Sequence, residues 1–367
     1  MKRFISAALV CLMAAHAMTG AGKKTVTWTT VKADDAAVRY IGRVLVSDGM
    51  VSYDWNGTTM KVRFEGNSLK LDCKSTGTSM FNLWVDKQPS HIADDVITVK
   101  DCDTTLVLAS VAGKGVHEVI LQKRSEGEQG EICIKSVSTD GKFVAPLPAK
   151  ERVIEFVGDS YTCGYGTENS VKTDPFKVET ENCNLAYAQI ISRYFDAECV
   201  TVSHSGMGIS RNYAGKTMKT MPQRYGQIFD ERHDDAYDFK AYTPDVVVIY
   251  LGTNDFSTSL QPSLEQFVKD YIGLISDIKK AYGEDIPVLC VSSKASDVLG
   301  DYVRRVADVV PFKNVHYTTI QNAIMNDDSE LGASWHPNYQ GQRKVAMAMI
   351  PYISTITGWE LPEKVIE

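Results

Sequence analysis

The strongest constraint on the fold of this chain is a change of residue pattern at Ala145-Pro146-Leu147-Pro148. Before that stretch the apolar residues alternate. Met60, Val62 and Phe64 interleave with Lys61, Arg63 and Glu65, the period-two signature of a strand with one buried face. Leu69, Leu71 and Cys73 continue the pattern after a Gly66-Asn67 turn. Further strands are expected at 81–85, 96–99, 106–111, 116–121 and 132–137. Short strands with frequent turns and no helical stretch predict an all-β sandwich of the jelly-roll type over residues 25–147.

After the linker, apolar runs alternate with helical stretches. Strands are expected at 153–157, 199–202, 246–251 and 288–291. Helices are expected at 185–194, 264–282 and 298–309, with a last one after Pro337. This order implies an α/β domain over residues 150–360, with a parallel sheet covered on both faces.

Composition narrows the partners. The chain has 367 residues, a hydrophobic content of 44% and a formal net charge of -7, with no basic block. It is globular, and nucleic acid and anionic membrane surfaces are poor partners for it. At the N-terminus Lys2 and Arg3 precede a short apolar run, and Ala15-His16-Ala17 fits a small-x-small cleavage site, with a second choice near Ala21. Residues 1–21 therefore read as a signal peptide, and the mature protein is expected to be secreted or periplasmic. Of eight cysteines, Cys11 leaves with that segment. The odd number that remains leaves at least one unpaired within the chain. A bridge between Cys163 and Cys183 is open. No cysteine spacing resembles a zinc site, and neither metal nor cofactor is expected.

Four short blocks carry the chemistry: Gly158-Asp159-Ser160, Ser205-Gly206-Met207-Gly208, Gly252-Thr253-Asn254-Asp255 and Trp335-His336-Pro337-Asn338. The first three follow predicted strands, where α/β sheets collect their ligands. Singly, each has an ordinary explanation: a helix cap for Ser160, turn chemistry for Gly206 and Asn254, a surface or capping role for His336. Together they supply a nucleophile, oxyanion donors and a base, the groups that acyl transfer at a serine requires. Gly208 is an alternative donor to Gly206, and His204 a minor competitor for the base. His91, His117, His233 and His316 have no comparable context.

The order Ser…Gly…Asn…His resembles the SGNH, or GDSL-type, hydrolases. The run from Glu155 to Gly166, the run from Ser205 to Tyr213, the run from Leu251 to Phe256, and Trp335-His336-Pro337-Asn338 are similar to blocks of carbohydrate esterase family 2. That resemblance implies a jelly-roll domain followed by an SGNH domain. It also implies Ser160 as nucleophile, His336 as general base and acid, and an oxyanion hole from Ser160 N–H, Gly206 N–H and the Asn254 side chain. The implied activity is removal of acetyl groups from plant polysaccharides or oligosaccharides such as xylan and glucomannan, with preference for 6-O positions. One departure stands out. SGNH enzymes usually place an Asp two or three residues before the histidine, and here Ser334 and Ala333 occupy those positions. The resemblance then implies a Ser–His dyad whose imidazole is held by a main-chain carbonyl. Asp327 and Asp328 are not placed to substitute. Trp335, Tyr161 and Tyr213 are the expected sugar-contacting aromatics, beside Tyr165; Asp159 is expected to support its turn. The other readings are a lipolytic or thioester-cleaving SGNH hydrolase, and a glycan-binding protein with weak or lost catalysis. The β domain is read as support for the cleft more than as a binding module.

Overall fold

A computed structural model describes residues 26–113, 115–232, 236–293, 297–320 and 327–367. The expected signal peptide and His233 lie outside them.

Eleven strands between Thr29 and Val144 pair in antiparallel fashion. The strands expected at 69–73 and 81–85 are one: Ser68–Val85 runs for 18 residues. Its first half pairs with Gly130–Thr139 and Asp103–Ser110, its second with Asp95–Lys100 and Val116–Lys123. It thus belongs to both layers of the sandwich. The inner faces share one core, in which Tyr53, Phe64, Leu71, Phe81, Leu121 and Ile134 are almost wholly buried. The strands Thr29–Lys32, Val38–Ile41, Leu45–Ser47, Met50–Tyr53 and Lys142–Val144 were not anticipated, being too short to display a period.

Beyond the linker, five parallel strands form the second sheet, in the order Glu198–Ser203, Val153–Gly158, Val246–Tyr250, Val288–Ser292, Val315–Thr319. The last of these was missed. The first strand in sequence lies between the second and third, so the chain reverses direction of growth beside it. Such a switch point opens a crevice at the carboxyl ends of the strands. Alternate strand residues feed two cores. Ile154, Phe156 and Val248 face Tyr187–Tyr194 and Tyr339–Thr357, while Val157, Val247 and Ile249 face Leu264–Tyr282 and Val298–Val309. The helices start where polar caps stand: Ser263 accepts from Gln266 N–H at 3.2 Å and Asp297 from Gly300 N–H at 2.7 Å.

A polar seam fixes the two domains against each other. The fully buried Arg43 guanidinium donates to the carbonyls of Tyr225 and Gln227 and lies 4.4 Å from the Tyr237 ring centre. The Asp54 carboxylate accepts from the backbone N–H of Asp230 and Glu231, and Trp55 Nε1 donates to the Ile228 carbonyl. Asn56 Nδ2 reaches Ser203 Oγ at 3.0 Å. Removing one partner of such a buried charge typically costs about 3–5 kcal/mol, so the seam holds a single geometry.

Candidate active site

Ser160 heads the short helix Ser160–Cys163 directly after the strand Val153–Gly158. Asp159 caps that helix, Oδ1 accepting from Tyr161 N–H at 3.2 Å. At the first helical position the Ser160 N–H has no intrahelical acceptor and stays available to a ligand. The neighbouring strands pair Gly158 with Ser203 on one side and Tyr250 on the other. The blocks that follow those strands therefore emerge level with the serine. Asn254 ties them together: Nδ2 donates to the Met207 carbonyl at 2.8 Å and to Asp159 Oδ2 at 3.2 Å.

Gly206 adopts φ +79°, a conformation that side chains strain to reach, and its carbonyl accepts from Tyr213 N–H at 2.7 Å. Gly208 does not serve as the alternative donor: its N–H is engaged by Asn212 Oδ1 at 3.1 Å. The loop between them owes its shape to Asp255, which sequence reasoning did not single out. Its buried carboxylate accepts from the backbone N–H groups of Ile209, Ser210 and Arg211 at 2.7–2.8 Å. Burial pushes this carboxyl up to about 6 and Asp159 up to about 7, against the pull of their backbone donors.

His336 comes from the turn before the last helix. Its Nε2 lies 2.8 Å from Ser160 Oγ and its Nδ1 lies 3.0 Å from the Ser334 carbonyl. A carbonyl can only accept, so Nδ1 carries the proton and Nε2 is free to receive the serine hydrogen bond. The turn is strained to make this contact: Ser334 and Trp335 both have positive φ, 51° and 59°. Left-handed conformations cost roughly 1–2 kcal/mol per residue, and the N–H groups of Ser334 and Trp335 offset this by donating to the carbonyls of Asp174 and Lys172. Gly166 (φ +65°) lets the nucleophile loop approach this turn; a Cβ there would sit 2.6 Å from Ala333 Cβ. Burial lowers the His336 pKa, outweighing the carbonyls of Ser334 and Ala333. The imidazole is a neutral base at pH 7. Asp327 caps a following turn and Asp328 pairs with Lys172, so neither orients the ring.

The aromatics divide into two sets. Tyr165 lies 4.2 Å from the His336 ring and 4.2 Å from Phe176, and Tyr161 meets His336 and Tyr250 edge-on. These rings wall the imidazole. Trp335 (56% exposed) and Tyr213 (65% exposed) face solvent, where a sugar ring could stack on them.

His204 is paired elsewhere. Its Nδ1 lies 2.7 Å from Asp230 Oδ2, and Arg224 holds the other Asp230 oxygen at 2.7 Å. Burial alone would lower this imidazole; the Asp230 carboxylate outweighs it and holds the pKa at about 9. His204 is a standing cation. Around it lie groupings with metal-ligand atoms, Glu126–Cys163–Glu181, Glu126–Glu128–His204 and His204–Asp230–Glu231. Protein cations already face them: Lys123, Arg124 and Arg224 are all buried alongside. The seven cysteines among the described residues are free. Cys163 Sγ lies 3.5 Å from Glu126 Oε2 and Cys183 Sγ 3.4 Å from the Lys123 carbonyl, so the bridge left open between them is not formed.

Residues 40–148 match the family model "Carbohydrate esterase 2 N-terminal" and residues 156–344 match "GDSL-like Lipase/Acylhydrolase family". The chain is 30% identical over 333 residues, 89% of its length, to Cellulase/esterase CelE of Acetivibrio thermocellus, of which it spans 40%. It is 26% identical to an acetylxylan esterase/glucomannan deacetylase of Cellvibrio japonicus, over 86% of this chain and 90% of that one. The structure of a family two carbohydrate esterase from Clostridium thermocellum in complex with cellohexaose superposes with TM-score 0.80 at 30% identity, covering 88% of this chain and all of the other. With both of its domains matched in order and the serine, glycine, asparagine and histidine blocks gathered at the carboxyl ends of the parallel strands, the chain belongs to carbohydrate esterase family 2.

Proposed function

We propose that the chain is an exported carbohydrate O-deacetylase that cleaves acetyl esters of plant polysaccharides or oligosaccharides of the xylan and glucomannan type, with preference for 6-O acetyl groups. The observation that carries this reading is the hydrogen bond from Ser160 Oγ to a neutral His336 Nε2, with Nδ1 held by the Ser334 carbonyl. The relatives' names supply the substrate class, and the pattern at residues 1–21 supplies export.

In this mechanism Ser160 Oγ attacks the acetyl carbonyl carbon as His336 Nε2 takes its proton. The developing oxyanion receives the N–H groups of Ser160 and Gly206. It also takes the Asn254 hydrogen that now makes the longer contact, 3.2 Å, to Asp159. The bond to the sugar oxygen then breaks, and that oxygen leaves with the proton from His336. Water, deprotonated by the same imidazole, attacks the acetyl-serine, and acetate departs as the proton returns to Ser160. The Ser334 carbonyl holds the ring through both transfers as a Ser–His dyad.

A second reading, glycan retention at the same cleft with little turnover, is favoured by the exposed Trp335 and Tyr213. Acetate release from acetylated xylan and glucomannan, beside 4-nitrophenyl acetate and octanoate, separates the readings. Deacetylation by the wild type that Ser160→Ala abolishes supports the proposal. Glycan binding by folded wild type with no acetate release supports the second reading, and octanoate preferred over acetate indicates a lipolytic enzyme.

A further inference from the structure

One carboxylate of the β domain reaches into the machinery of the α/β domain. Glu126 lies just after the strand Val116–Lys123, and its side chain is fully buried. Its Oε2 accepts from Ser205 N–H at 2.7 Å and from Cys163 Sγ at 3.5 Å. Ser205 precedes Gly206, and Cys163 ends the helix that Ser160 begins. A single oxygen therefore touches both segments that carry the backbone oxyanion donors. Glu126 is itself pinned: its N–H donates to Glu181 Oε2 at 3.3 Å and its carbonyl accepts from Lys123 Nζ at 3.0 Å.

The Gly206 N–H belongs to the peptide unit that begins at the Ser205 carbonyl. Glu126 grips the amide on one side of that unit, and the Tyr213 N–H grips the Gly206 carbonyl on the other, at 2.7 Å. Without the Glu126 contact, the turn at Gly206 (φ +79°) loses its only hold on the Ser205 amide and keeps the Met207 N–H to His204 carbonyl bond, 3.3 Å, and the Tyr213 contact. We infer that Glu126 is a positioning residue, by which the β domain completes the oxyanion hole of its neighbour by aligning the Gly206 and Ser160 N–H groups. This inference rests on the acyl-transfer reading above, and it gives the β domain a part in turnover beyond walling the cleft.

The oxyanion develops only in the transition state, so misaligned donors lower kcat and leave KM nearly unchanged. The test compares Glu126→Ala, Glu126→Gln, Glu126→Asp and Arg39→Ala on 4-nitrophenyl acetate, with melting temperatures recorded in parallel. Removing one oxyanion donor costs about 10²–10³ in turnover, and a misplaced donor is expected to cost about 10²-fold in Glu126→Ala with little change in KM. Glu126→Gln keeps an acceptor for Ser205 N–H and recovers most of that loss. Glu126→Asp keeps a carboxyl group but falls short of Ser205, so its kcat drops; it decides the matter if the alanine variant does not fold. Arg39→Ala breaks a different contact across the seam, with Glu198 at 2.8 Å, and leaves kcat unchanged. Unchanged kcat in folded Glu126→Ala and Glu126→Asp overturns the inference. An equal kcat loss in Arg39→Ala overturns it too, since any loosening of the seam would then suffice. A wild type that does not cleave 4-nitrophenyl acetate instead defeats the underlying acyl-transfer reading.

Discussion

Two histidines flank the nucleophile in this molecule, and their surroundings give them opposite chemistry. His204 has the buried carboxylate partner that sequence reasoning sought for the base, and the outcome is an imidazolium with a pKa of about 9. His336 has a carbonyl in that place and is driven below the ordinary histidine value by burial. A full negative charge against a shielded ring favours its charged form, whereas a carbonyl fixes orientation and tautomer with much less electrostatic bias. The ring on the serine can therefore be oriented without becoming a cation at rest. In the proposed mechanism the carboxylate–histidine pair only holds charge, and the carbonyl–histidine pair moves protons.

The comparison can be broken most severely at His336. General acid–base catalysis by a positioned side chain contributes up to about 10⁴-fold, and His336→Ala is expected to lose about that much kcat for acetate release. If instead His336→Ala retained substantial turnover while His204→Ala did not, the roles would be reversed. A smaller effect is expected on stability. The His204 pKa is raised above the unfolded value near 6.5, so its pairing stabilises the fold fully below that pH and is lost as pH rises through about 9. Asp230 is held below its ordinary value, so its share is present above about pH 3.8 and is lost as pH falls through its lower folded value. Asp230→Asn leaves Arg224 and His204 short of their counter-charge and is expected to cost about 3–5 kcal/mol near pH 6. Thermal melts should show the wild type losing stability between pH 6.5 and 9, with most of that slope absent from the variant. A slope of equal size in Asp230→Asn would remove the pair from the explanation. The smallest effect belongs to the cleft mouth. Trp335→Ala removes a stacking face worth about 0.5–1.5 kcal/mol, so KM for an acetylated oligosaccharide should rise a few-fold while 4-nitrophenyl acetate is little affected.

What the sequence disclosed was local. The helices Leu264–Tyr282 and Val298–Val309 lie where their periodicity placed them, because clear apolar stripes and the caps Ser263 and Asp297 mark their limits. The strand Val315–Thr319 escaped notice because His316, Tyr317 and two threonines interrupt any apolar run at the sheet edge. The four chemical blocks were legible as short motifs, and the missing Asp at 333 and 334 pointed to a carbonyl behind the imidazole. The contacts that fix the blocks were not legible. Glu126 and Ser205 are 79 positions apart, and Asn254 and Asp159 are 95 apart. A buried acidic residue in the connection between Val116–Lys123 and Gly130–Thr139 carries no mark of the amide it will meet. Asp255 did carry a faint signal, an acid directly following the asparagine at a strand end, whose target was the backbone of another loop.

The central claim, that a neutral His336 held by a carbonyl is the working base, is tested most directly by the pH dependence of kcat/KM for acetate release by the wild type between pH 4.5 and 9.5. In the free enzyme three groups of the site titrate in its lower half: His336, below 6.5, Asp255, at about 6, and Asp159, at about 7. The account predicts a rate that climbs with pH, is near its maximum soon after pH 7 and stays level to about 9. A rate that rises only as a group near pH 9 loses its proton would contradict it, and would assign the chemistry to His204.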